Sequence, residues 1–303
     1  MRVSAQVEPL SESSVLEEYK QLIDKNLRQS IASFGEKTVL RDACEYSLLN
    51  GGKRFRPTVV LMVAKALGYG LDVSNSALAV EFFHTASLVA DDLPCMDNDD
   101  IRRNKPAVHK VYGEAVALLV TYALIAAGYE RIYRNGEVLR ASKEPFSSRW
   151  EQVCCLAVGN VAHNTGVQGA CGGQFLDIFP PNVTEKMVRE VLNKKTVTLF
   201  EATFLLGWLF GGGDLSCLEK VKTLAYHFGL AFQIADDLGD VAQDADNERS
   251  VNFAALLGPE KAIATIKQEL ELYHSILSQL KIDSEELRSL GKLLLLRALS
   301  FTE

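Results

Sequence analysis

The chain has 303 residues, of which 48% are hydrophobic and 23% are charged, and its formal net charge is −7. This acidic balance argues against general nucleic-acid binding, because that function requires a basic surface. No apolar run reaches the roughly 18 residues that a membrane span needs, so no integral membrane segment is expected. Residues 1–14 are polar and acidic and lack a signal or transit pattern. We therefore expect a cytoplasmic protein with reduced cysteines.

Apolar residues recur at helical spacing along almost the whole sequence, whereas the alternation typical of strands is scarce. Breakers such as Gly51-Gly52, Pro94 and 211–213 separate the apolar runs, and no linker or repeat divides them. The sequence therefore predicts one all-α domain over residues 1–303, a large helical bundle with a central apolar cavity. The predicted helices cover 15–33, 38–49, 57–67, 75–93, 114–133, 149–163, 185–208, 216–241 and 259–280.

Two of the predicted helices end in clusters of aspartates, although the rest of each helix is apolar. Carboxylates at the mouth of an apolar region are costly unless cations pair with them. Their oxygens suit Mg²⁺, which completes its coordination with water and substrate phosphate. The clusters therefore predict a metal-bridged phosphate site above an apolar pocket. The first cluster contains Asp91, Asp92 and Asp97, and the second contains Asp236, Asp237 and Asp240.

The two clusters are expected to reach this common site by different local geometry. The second cluster, together with Gln233, is spaced at i, i+3, i+4 and i+7, so its members share one helix face. In the first cluster, Pro94 cannot continue a helix and disfavours helical geometry in the residue before it. We expect the helix to end near Asp92 and the following loop to fold Asp97 back toward Asp91.

Basic residues that could bind phosphate lie close to a turn and to the first aspartate cluster. The segment GGKRFRP (51–57) places three cations behind a glycine pair at a helix start. Backbone N–H groups, the helix dipole and a forked guanidinium there all favour an anion. Arg102 and Arg103 follow the first cluster closely. So many cations beside a metal site would be explained if the site has to neutralise several phosphate groups.

Two further polar positions lie on otherwise apolar helices. Lys195, followed by Thr196, is either a phosphate ligand or a lysine whose stem packs while its head reaches water. His84 lies seven residues before Asp91 and shares its helix face. It is either a functional residue or a satisfied core histidine.

These segments resemble those of the trans-isoprenyl diphosphate synthases over essentially the whole chain. The most specific matches are GGKRFRP (51–57), DDLPCMDNDDIRRNKP (91–106), GGQFLD (172–177), KT (195–196) and FQIADDLGD (232–240). The spacing between the first Asp pair and Asp97 is similar to the bacterial and plastid branch, and most of all to geranylgeranyl diphosphate synthases. The resemblance implies the isoprenoid synthase type of helical bundle, a homodimer and a deep cavity between the Asp-bearing helices.

The resemblance also implies a role for each candidate residue. Three Mg²⁺ ions, with Mn²⁺ as an alternative, would be held by Asp91, Asp97 and Asp236, with support from Asp92, Asp237 and Asp240. The allylic diphosphate would be bound by the ions with Arg102, Lys195, Thr196 and Gln233. Isopentenyl diphosphate would be held by Lys53, Arg56, His84 and Arg103. Ionisation of the allylic C–O bond would then give a carbocation that the isopentenyl double bond attacks, which yields a longer all-trans prenyl diphosphate.

Side-chain bulk on the helix below Asp91 is expected to set product length. Short-chain members of the family usually carry an aromatic residue four or five positions before the first Asp, where this chain has Ser87 and Ala86. Phe82 and Phe83, further down the helix, are candidates for the end of the cavity. The small pair favours a geranylgeranyl (C20) product, with farnesyl diphosphate (C15) as the alternative.

Three departures from the family pattern bear on function. Ala90 stands where the family usually has His, and Thr121-Tyr122 replace a Gly-Asp pair. After Asp240 the usual glycine- and lysine-rich loop is replaced by the shorter, lysine-free residues 241–253, so weaker allylic binding is expected. Two other readings of function stay open. One is a non-catalytic regulatory subunit, and the other is a terpene cyclase, which would not need the second diphosphate site.

Overall fold

A computed structural model describes residues 12–246 and 252–301. The described part is almost entirely helical, which confirms the predicted fold class. Its α-helices are α1 (Glu12–Ser30), α2 (Val39–Leu49), α3 (Phe55–Leu67), α4 (Ser74–Asp91), α5 (Val108–Tyr112), α6 (Glu114–Ala141), α7 (Trp150–Thr165), α8 (Ala170–Ile178), α9 (Glu185–Leu192), α10 (Thr198–Phe210), α11 (Leu218–Asp246), α12 (Phe253–Leu257), α13 (Pro259–Gln279) and α14 (Glu285–Leu299). The 3₁₀ helices are Ile31–Phe34, Pro145–Arg149 and Leu215–Cys217, and a π-helical segment is Asn193–Val197.

The core is built around α10, in which every residue except Glu201 is buried. This helix packs against α3, α7 and α11, and α4 packs along the length of α6. An apolar helix that is buried on all sides belongs at the centre of a bundle. The Phe55, Phe200 and Phe228 rings meet beside α10, with centroids 5.3–6.3 Å apart.

One small β-hairpin follows the first aspartate cluster. Strands β1 (Ile101–Arg102) and β2 (Lys105–Pro106) pair antiparallel. Both residues of the turn, Arg103 and Asn104, have positive φ angles of 54° and 63°. Two left-handed residues define the tight turn that suits the twist of paired strands. The hairpin thereby holds Arg102 and Arg103 beside the aspartates.

The helix boundaries depart from the sequence prediction in several places. The predicted helix 185–208 is interrupted by the π-helical segment, and α6 continues eight residues beyond 133 to Ala141. Helices α5, α8, α12 and α14 were not predicted. The segment after Asp240, expected to be a loop, is helical as far as Asp246. The rest of the predicted loop 241–253 lies mainly outside the described residues, so its role stays a prediction, as does the single domain over 1–303.

Helix α6 leaves much of its apolar surface uncovered. Among the described residues it is the one helix long and apolar enough to cross a membrane, and 39% of its most apolar window is buried. Length and composition alone are weak evidence for a span, because core helices of soluble proteins pass the same test. Its exposed apolar side chains are Leu118, Leu119, Tyr122, Ile125 and Tyr133.

Candidate active site

A polar cavity of about 750 Å³ lies between the carboxyl end of α4, the start of α3, the π-helical segment and α11. Most of the predicted site residues line this cavity. These are Lys53, Arg56, His84, Ser87, Asp91, Asp97, Arg102, Arg103, Lys195, Thr196, Gln233 and Asp236. Asp91 and Asp97 of the first cluster and Asp236 of the second therefore line one cavity. Asp92, Asp237 and Asp240 are not part of the lining.

The first aspartate cluster folds back on itself as predicted. Helix α4 ends at Asp91, and Asp92 is its C-cap. The backbone N–H of Asp97 then donates to the carbonyl of Asp91 at 2.8 Å, which brings the two residues onto one wall. Burial, with the Asp97 carboxylate as a further contribution, raises the pKa of Asp91 to about 7. This carboxylate is therefore stabilised by any cation that enters the cavity.

Asp92 and Arg102 form a charge pair behind the cavity wall. Asp92 is 2% exposed. The Arg102 Nε donates to Asp92 Oδ1 at 2.8 Å, and its Nη2 contacts both Asp92 and Asp99. The pair fixes the hairpin to the end of α4. Arg102, predicted to bind the allylic diphosphate, borders the cavity but has its guanidinium on these two carboxylates.

In the second cluster, Asp236 lines the cavity, whereas Asp237 and Asp240 do not. Asp237 is 5% exposed, and its Oδ2 accepts a hydrogen bond from the backbone N–H of Phe253 at 2.8 Å. Its Oδ1 accepts from Gln233 Nε2 at 2.8 Å. Asp237 therefore supports the site by joining α11 to the start of α12. Asp240 is exposed and lies outside the lining.

Arg297, which the sequence did not indicate, also lines the cavity. It lies in the last turn of α14, and its Nη2 contacts Asp236 Oδ1 at 2.6 Å. A guanidinium thus occupies one oxygen of a predicted metal ligand. The chain offered no pattern to find it, because Arg297 is a lone cation at the end of an apolar run.

Lys195 and Thr196 owe their placement to the π-helical segment. Such a segment inserts one extra residue into a helix and redirects its side chains, often at functional sites. Lys195 Nζ donates to Asp177 Oδ2 at 2.5 Å, and Thr196 Oγ1 donates to Gln233 Oε1 at 2.7 Å. The hydrogen bond to Asp177 therefore fixes the Lys195 ammonium group in the site, which argues against a lysine whose head group simply extends into water. Asp177 belongs to the GGQFLD segment, whose residues had no predicted role.

The basic wall begins at the glycine pair. Gly52 has a φ of +113°, and a Cβ there would lie 2.6 Å from the Arg103 guanidinium. Arg103 Nη1 donates to the Gly51 carbonyl at 2.7 Å, so the turn and the hairpin are joined. The lack of side chains at the two glycines therefore allows Arg103 to approach this turn closely. Lys53 is exposed at the cavity edge.

Arg54, the middle cation of the segment, is structural. It is 3% exposed. Its guanidinium donates to Asp24 at 2.8 Å, to Glu81 at 2.5 Å and to the Leu48 carbonyl at 2.7 Å. A buried guanidinium that is fully paired in this way ties α1, α2 and α4 together.

Arg56 and His84 stand side by side at the back of the cavity. Arg56 Nη1 lies 3.4 Å from His84 Nε2, and its guanidinium stacks 4.7 Å from the Phe200 ring centre. Burial lowers the pKa of Arg56 to about 10. Burial and the adjacent guanidinium groups hold the pKa of His84 well below its ordinary value. His84 is therefore neutral, and it adds an acceptor rather than a charge to this wall.

A second cavity of about 290 Å³ continues from the polar one and is almost wholly apolar. The two share Ser87, Asp91, Lys195 and Leu199, so they join at this point. Ala86 and Phe83 line the second cavity, and Thr121 and Ile125 contribute to it from α6. The Phe83 ring is accommodated by Gly128, where a Cβ would lie 2.7 Å away.

Phe82, predicted as a possible end of this cavity, is not in its lining. It is completely buried on the other side of α4, where its ring centre lies 5.8 Å from that of Phe34. Consecutive helical residues point about 100° apart, so Phe82 and Phe83 face different surroundings. Phe83 alone of the pair lies in the cavity wall.

An all-α bundle with facing carboxylates and cations beside an apolar cavity has the architecture expected of the isoprenoid synthase type. Comparison with known families agrees, because the polyprenyl synthetase family model matches residues 37–251. The chain belongs to the polyprenyl synthetase family. It is 36% identical over 241 residues to the chloroplastic geranylgeranyl pyrophosphate synthase of Capsicum annuum, an alignment that covers 75% of this chain and 63% of the relative.

Other relatives carry related names. Geranylgeranyl pyrophosphate synthase 7, chloroplastic, of Arabidopsis thaliana is 38% identical over 72% of this chain and 61% of its own length. The chloroplastic heterodimeric geranylgeranyl pyrophosphate synthase large subunit 1 of the same plant is 36% identical over 74% and 60%. The chain thus spans about three-fifths of the length of these relatives.

Solved structures match over nearly their full length. An FPP/GFPP synthase from Zymomonas mobilis has a TM-score of 0.78 at 30% identity, covering 93% of this chain and 98% of that one. A geranyltransferase from Legionella pneumophila has a TM-score of 0.81 at 29% identity, covering 94% and 97%.

Proposed function

We propose that this protein is a Mg²⁺-dependent trans-prenyltransferase that condenses isopentenyl diphosphate with an allylic diphosphate. The observation that carries the proposal is the junction of the two cavities at Ser87, Asp91, Lys195 and Leu199. A substrate could place its charged diphosphate in the polar cavity and its apolar tail in the second cavity, with the two parts meeting at this junction. The family match and the names of the relatives support the same activity.

The donor set fits divalent metal binding through substrate. No group of three or more His, Cys, Asp or Glu side chains within the described residues is arranged to hold a metal by itself. Mg²⁺ needs only one or two carboxylates when water and phosphate complete its shell, and Asp91, Asp97 and Asp236 supply hard oxygens around the cavity. When bound, Mg²⁺ would neutralise the diphosphate as a leaving group. Three ions, or Mn²⁺ in their place, are part of the proposal.

The chain's own residues account for the remaining steps. Lys195, Thr196 and Gln233 would orient the allylic diphosphate, whose C1–O bond breaks with both electrons leaving on oxygen. Arg56, Arg103, His84 and Lys53 would hold isopentenyl diphosphate, whose C4 forms the new bond to C1. The proton lost from C2 of that unit goes to the departing diphosphate. The apolar cavity excludes water that would quench the carbocation.

We also propose a C20 product, because small side chains leave the upper part of the apolar cavity open. Ala86 and Ser87 line it where short-chain enzymes would have bulk, and Phe83 lies further along the same wall. Replacing Ala86 by Tyr fills this space, and the product is expected to shorten to C15. Products of the two proteins, sized by chromatography after dephosphorylation, check this. A C15 product from the unsubstituted protein would contradict the length assignment.

A homodimer is the proposed assembly, because the exposed apolar side chains of α6 need a cover. Thr121 and Ile125 of α6 line the apolar cavity, so a partner seated on this helix would lie next to the substrate tail. The names of some relatives describe heterodimeric subunits, which makes a different partner the competing outcome. The cytoplasmic location stays a prediction, and the plant relatives are named as chloroplastic.

Incubation with isopentenyl diphosphate, farnesyl diphosphate and Mg²⁺ separates the candidate activities. A prenyltransferase gives a longer prenyl diphosphate, a terpene cyclase gives a hydrocarbon, and a regulatory subunit gives no product. The proposed second diphosphate site, which a terpene cyclase would not need, favours the first outcome. A hydrocarbon product would contradict the proposal.

A further inference from the structure

Asp177 on α8 binds the Lys195 ammonium group from outside the two cavities. Lys195 Nζ donates to Asp177 Oδ2 at 2.5 Å, and both side chains are partly buried. Lys195 lines both cavities, whereas Asp177 lines neither. The function proposed above uses Lys195 and gives no task to Asp177. An ammonium group has three N–H donors, so the bond to Asp177 leaves two of them for other acceptors.

The packing of α8 places Asp177 beside Lys195. Gly173 and Asp177 are four residues apart on this helix, so they share one face of it. A Cβ on Gly173 would lie 2.3 Å from the backbone nitrogen of Lys195 and 2.7 Å from the carbonyl carbon of Lys194. This face of α8 therefore packs directly on the backbone of the π-helical segment. The contact between Asp177 and Lys195 is thus fixed by the packing of two elements.

A second carboxylate, that of Asp91, competes for the same ammonium group. Asp91 and Lys195 both belong to the junction at which the two cavities meet. Within the described residues, the Asp91 carboxylate has no hydrogen-bond or ion-pair partner. Burial lowers the pKa of Lys195, but the carboxylates of Asp177, Asp91 and Asp97 outweigh this effect and raise it. Lys195 is thus attracted by both acids and is hydrogen-bonded to Asp177.

The choice between these two partners decides what the junction can bind. A direct pair of Lys195 with Asp91 would occupy a carboxylate that could otherwise accept a metal ion. The same pair would use N–H donors that could otherwise reach a phosphate. Opposite charges attract more strongly where water is partly excluded, so this pair is the expected state of Lys195 when no other carboxylate binds it. Asp177 supplies that other carboxylate, behind the cavity wall.

We propose that Asp177 is a positioning residue that holds Lys195 against α8 and thereby prevents it from pairing with Asp91. The inference rests on the proposed prenyltransferase function, which supplies the metal ion for Asp91 and the diphosphate for Lys195. Asp177 touches neither ligand and takes no part in the bond changes. It acts by keeping a cation and an anion of the same site apart until their ligands arrive.

The test measures Mn²⁺ binding without diphosphate, from the electron paramagnetic resonance signal of the free ion. Asp177→Asn releases the ammonium group to pair with Asp91, so Mn²⁺ affinity should fall about threefold to tenfold, the scale of a partly buried ion pair. Asp177→Asn combined with Lys195→Met removes the competing ammonium group, and the affinity should return to that of the unsubstituted protein. If Asp177 served the packing of α8 alone, the double variant would stay as weak as the single one.

Glu190→Gln is the matched control. It removes a carboxylate from the ion pair with Lys194, the neighbour of Lys195, and neither Glu190 nor Lys194 lines the two cavities. The net charge changes by the same amount, and Mn²⁺ binding should stay unchanged. A crystal structure of Asp177→Asn without ligand should then show Lys195 Nζ within hydrogen-bond distance of the Asp91 carboxylate. Asp177→Ser takes the place of Asp177→Asn in both measurements if the asparagine variant does not fold.

Three results would overturn the inference. In the first, Asp177→Asn binds Mn²⁺ as tightly as the unsubstituted protein. In the second, the double variant stays weak, and in the third, Lys195 remains away from Asp91 in the crystal structure of the variant. Elongation of farnesyl diphosphate by the unsubstituted protein is measured separately. If Mn²⁺ binding follows the expected pattern but nothing is elongated, the proposed function fails and the positioning role of Asp177 stands.

Discussion

Asp91 and Asp92 are adjacent in the chain but have different neighbours. Asp92 is buried against the guanidinium of Arg102. Asp91 borders both cavities, and burial raises its pKa to about 7. The helix end at Asp91 separates them, because α4 turns one carboxylate toward the hairpin and the other toward the site. Asp92 therefore positions the loop, while Asp91 is left for a ligand.

The metal-free protein is expected to gain stability when Asp91 is replaced by Asn. The folded pKa is about 7 and the ordinary value is 3.8, so the folded state binds the extra proton between these pH values. Stability therefore falls as pH rises through this window. At pH 8, Asp91→Asn should add about 1–3 kcal/mol, and near pH 4 the difference should vanish.

Thermal unfolding at several pH values in EDTA measures this effect. The control is Asp100→Asn, in which an exposed carboxylate paired with Lys110 is removed from the loop that follows α4; its Tm should hardly change. Lower stability of Asp91→Asn at pH 8 would contradict the account. Added Mg²⁺ and diphosphate should stabilise the unsubstituted protein more than the variant.

Arg297 is expected to compete with metal for Asp236. Arg297→Met removes that competitor, so Mg²⁺ binding without diphosphate should tighten by about twofold to fivefold, the range of a partly exposed ion pair. The control is Arg288→Met, a substitution on the same helix α14 that breaks the pair of Arg288 with Asp283. Calorimetric titration of both variants with Mg²⁺ measures this change in affinity. Unchanged or weaker Mg²⁺ binding in Arg297→Met would show that the contact does not limit access to Asp236.

At the scale of elements, α4 serves both cavities with two adjacent stripes. His84, Ser87 and Asp91 line the polar cavity at spacings of three and four residues. Phe83, Ala86 and Ala90, one position earlier in each case, line the apolar cavity. Since neighbouring helical residues point about 100° apart, one regular helix can present polar and apolar walls together. We therefore expect product length to depend on the second stripe.

Phe83 and Phe82 give a matched pair for this stripe. Phe83→Leu enlarges the apolar cavity, and we expect a larger share of products beyond C20. Phe82→Leu changes the buried contact with Phe34; it should lower stability by about 1–2 kcal/mol and leave product length unchanged. Chromatography of the products and thermal unfolding check the pair. Equal lengthening by both variants would contradict the placement of the two rings.

The elements predicted from the sequence are those whose cause is local. Apolar periodicity located the long helices, and Pro94 located the end of α4 and the return of Asp97. Helix α8 was missed because Gly169, Gly172 and Gly173 lie in or next to its first turn. Glycine disfavours a helix unless packing requires it. The π-helical segment and the Arg297–Asp236 contact depend on tertiary packing, which no local pattern encodes.

At the scale of the whole molecule, the exposed apolar face of α6 borders the apolar cavity, because Ile125 belongs to both. Leu119 is 50% exposed on that face, while Thr121 and Ile125 line the cavity. A partner on α6 would therefore shield the protein from water and support the wall beside the substrate tail. Assembly and product length are expected to be linked.

Leu119→Glu should prevent this assembly, because it places a charge in the apolar contact. Light scattering after size exclusion is expected to show a dimer for the unsubstituted protein and a monomer for the variant, with reduced elongation. Leu272→Glu, at an exposed position on α13, should remain dimeric. A monomeric unsubstituted protein with full activity would contradict the proposed homodimer.

The most direct test of the account is a crystal structure with Mg²⁺ and a farnesyl thiolodiphosphate. We expect the diphosphate between Asp91, Asp97 and Asp236, and the tail passing Ser87 and Leu199 toward Phe83. A diphosphate bound at another site, or a tail lying outside the apolar cavity, would contradict the claim that the two cavities hold one substrate.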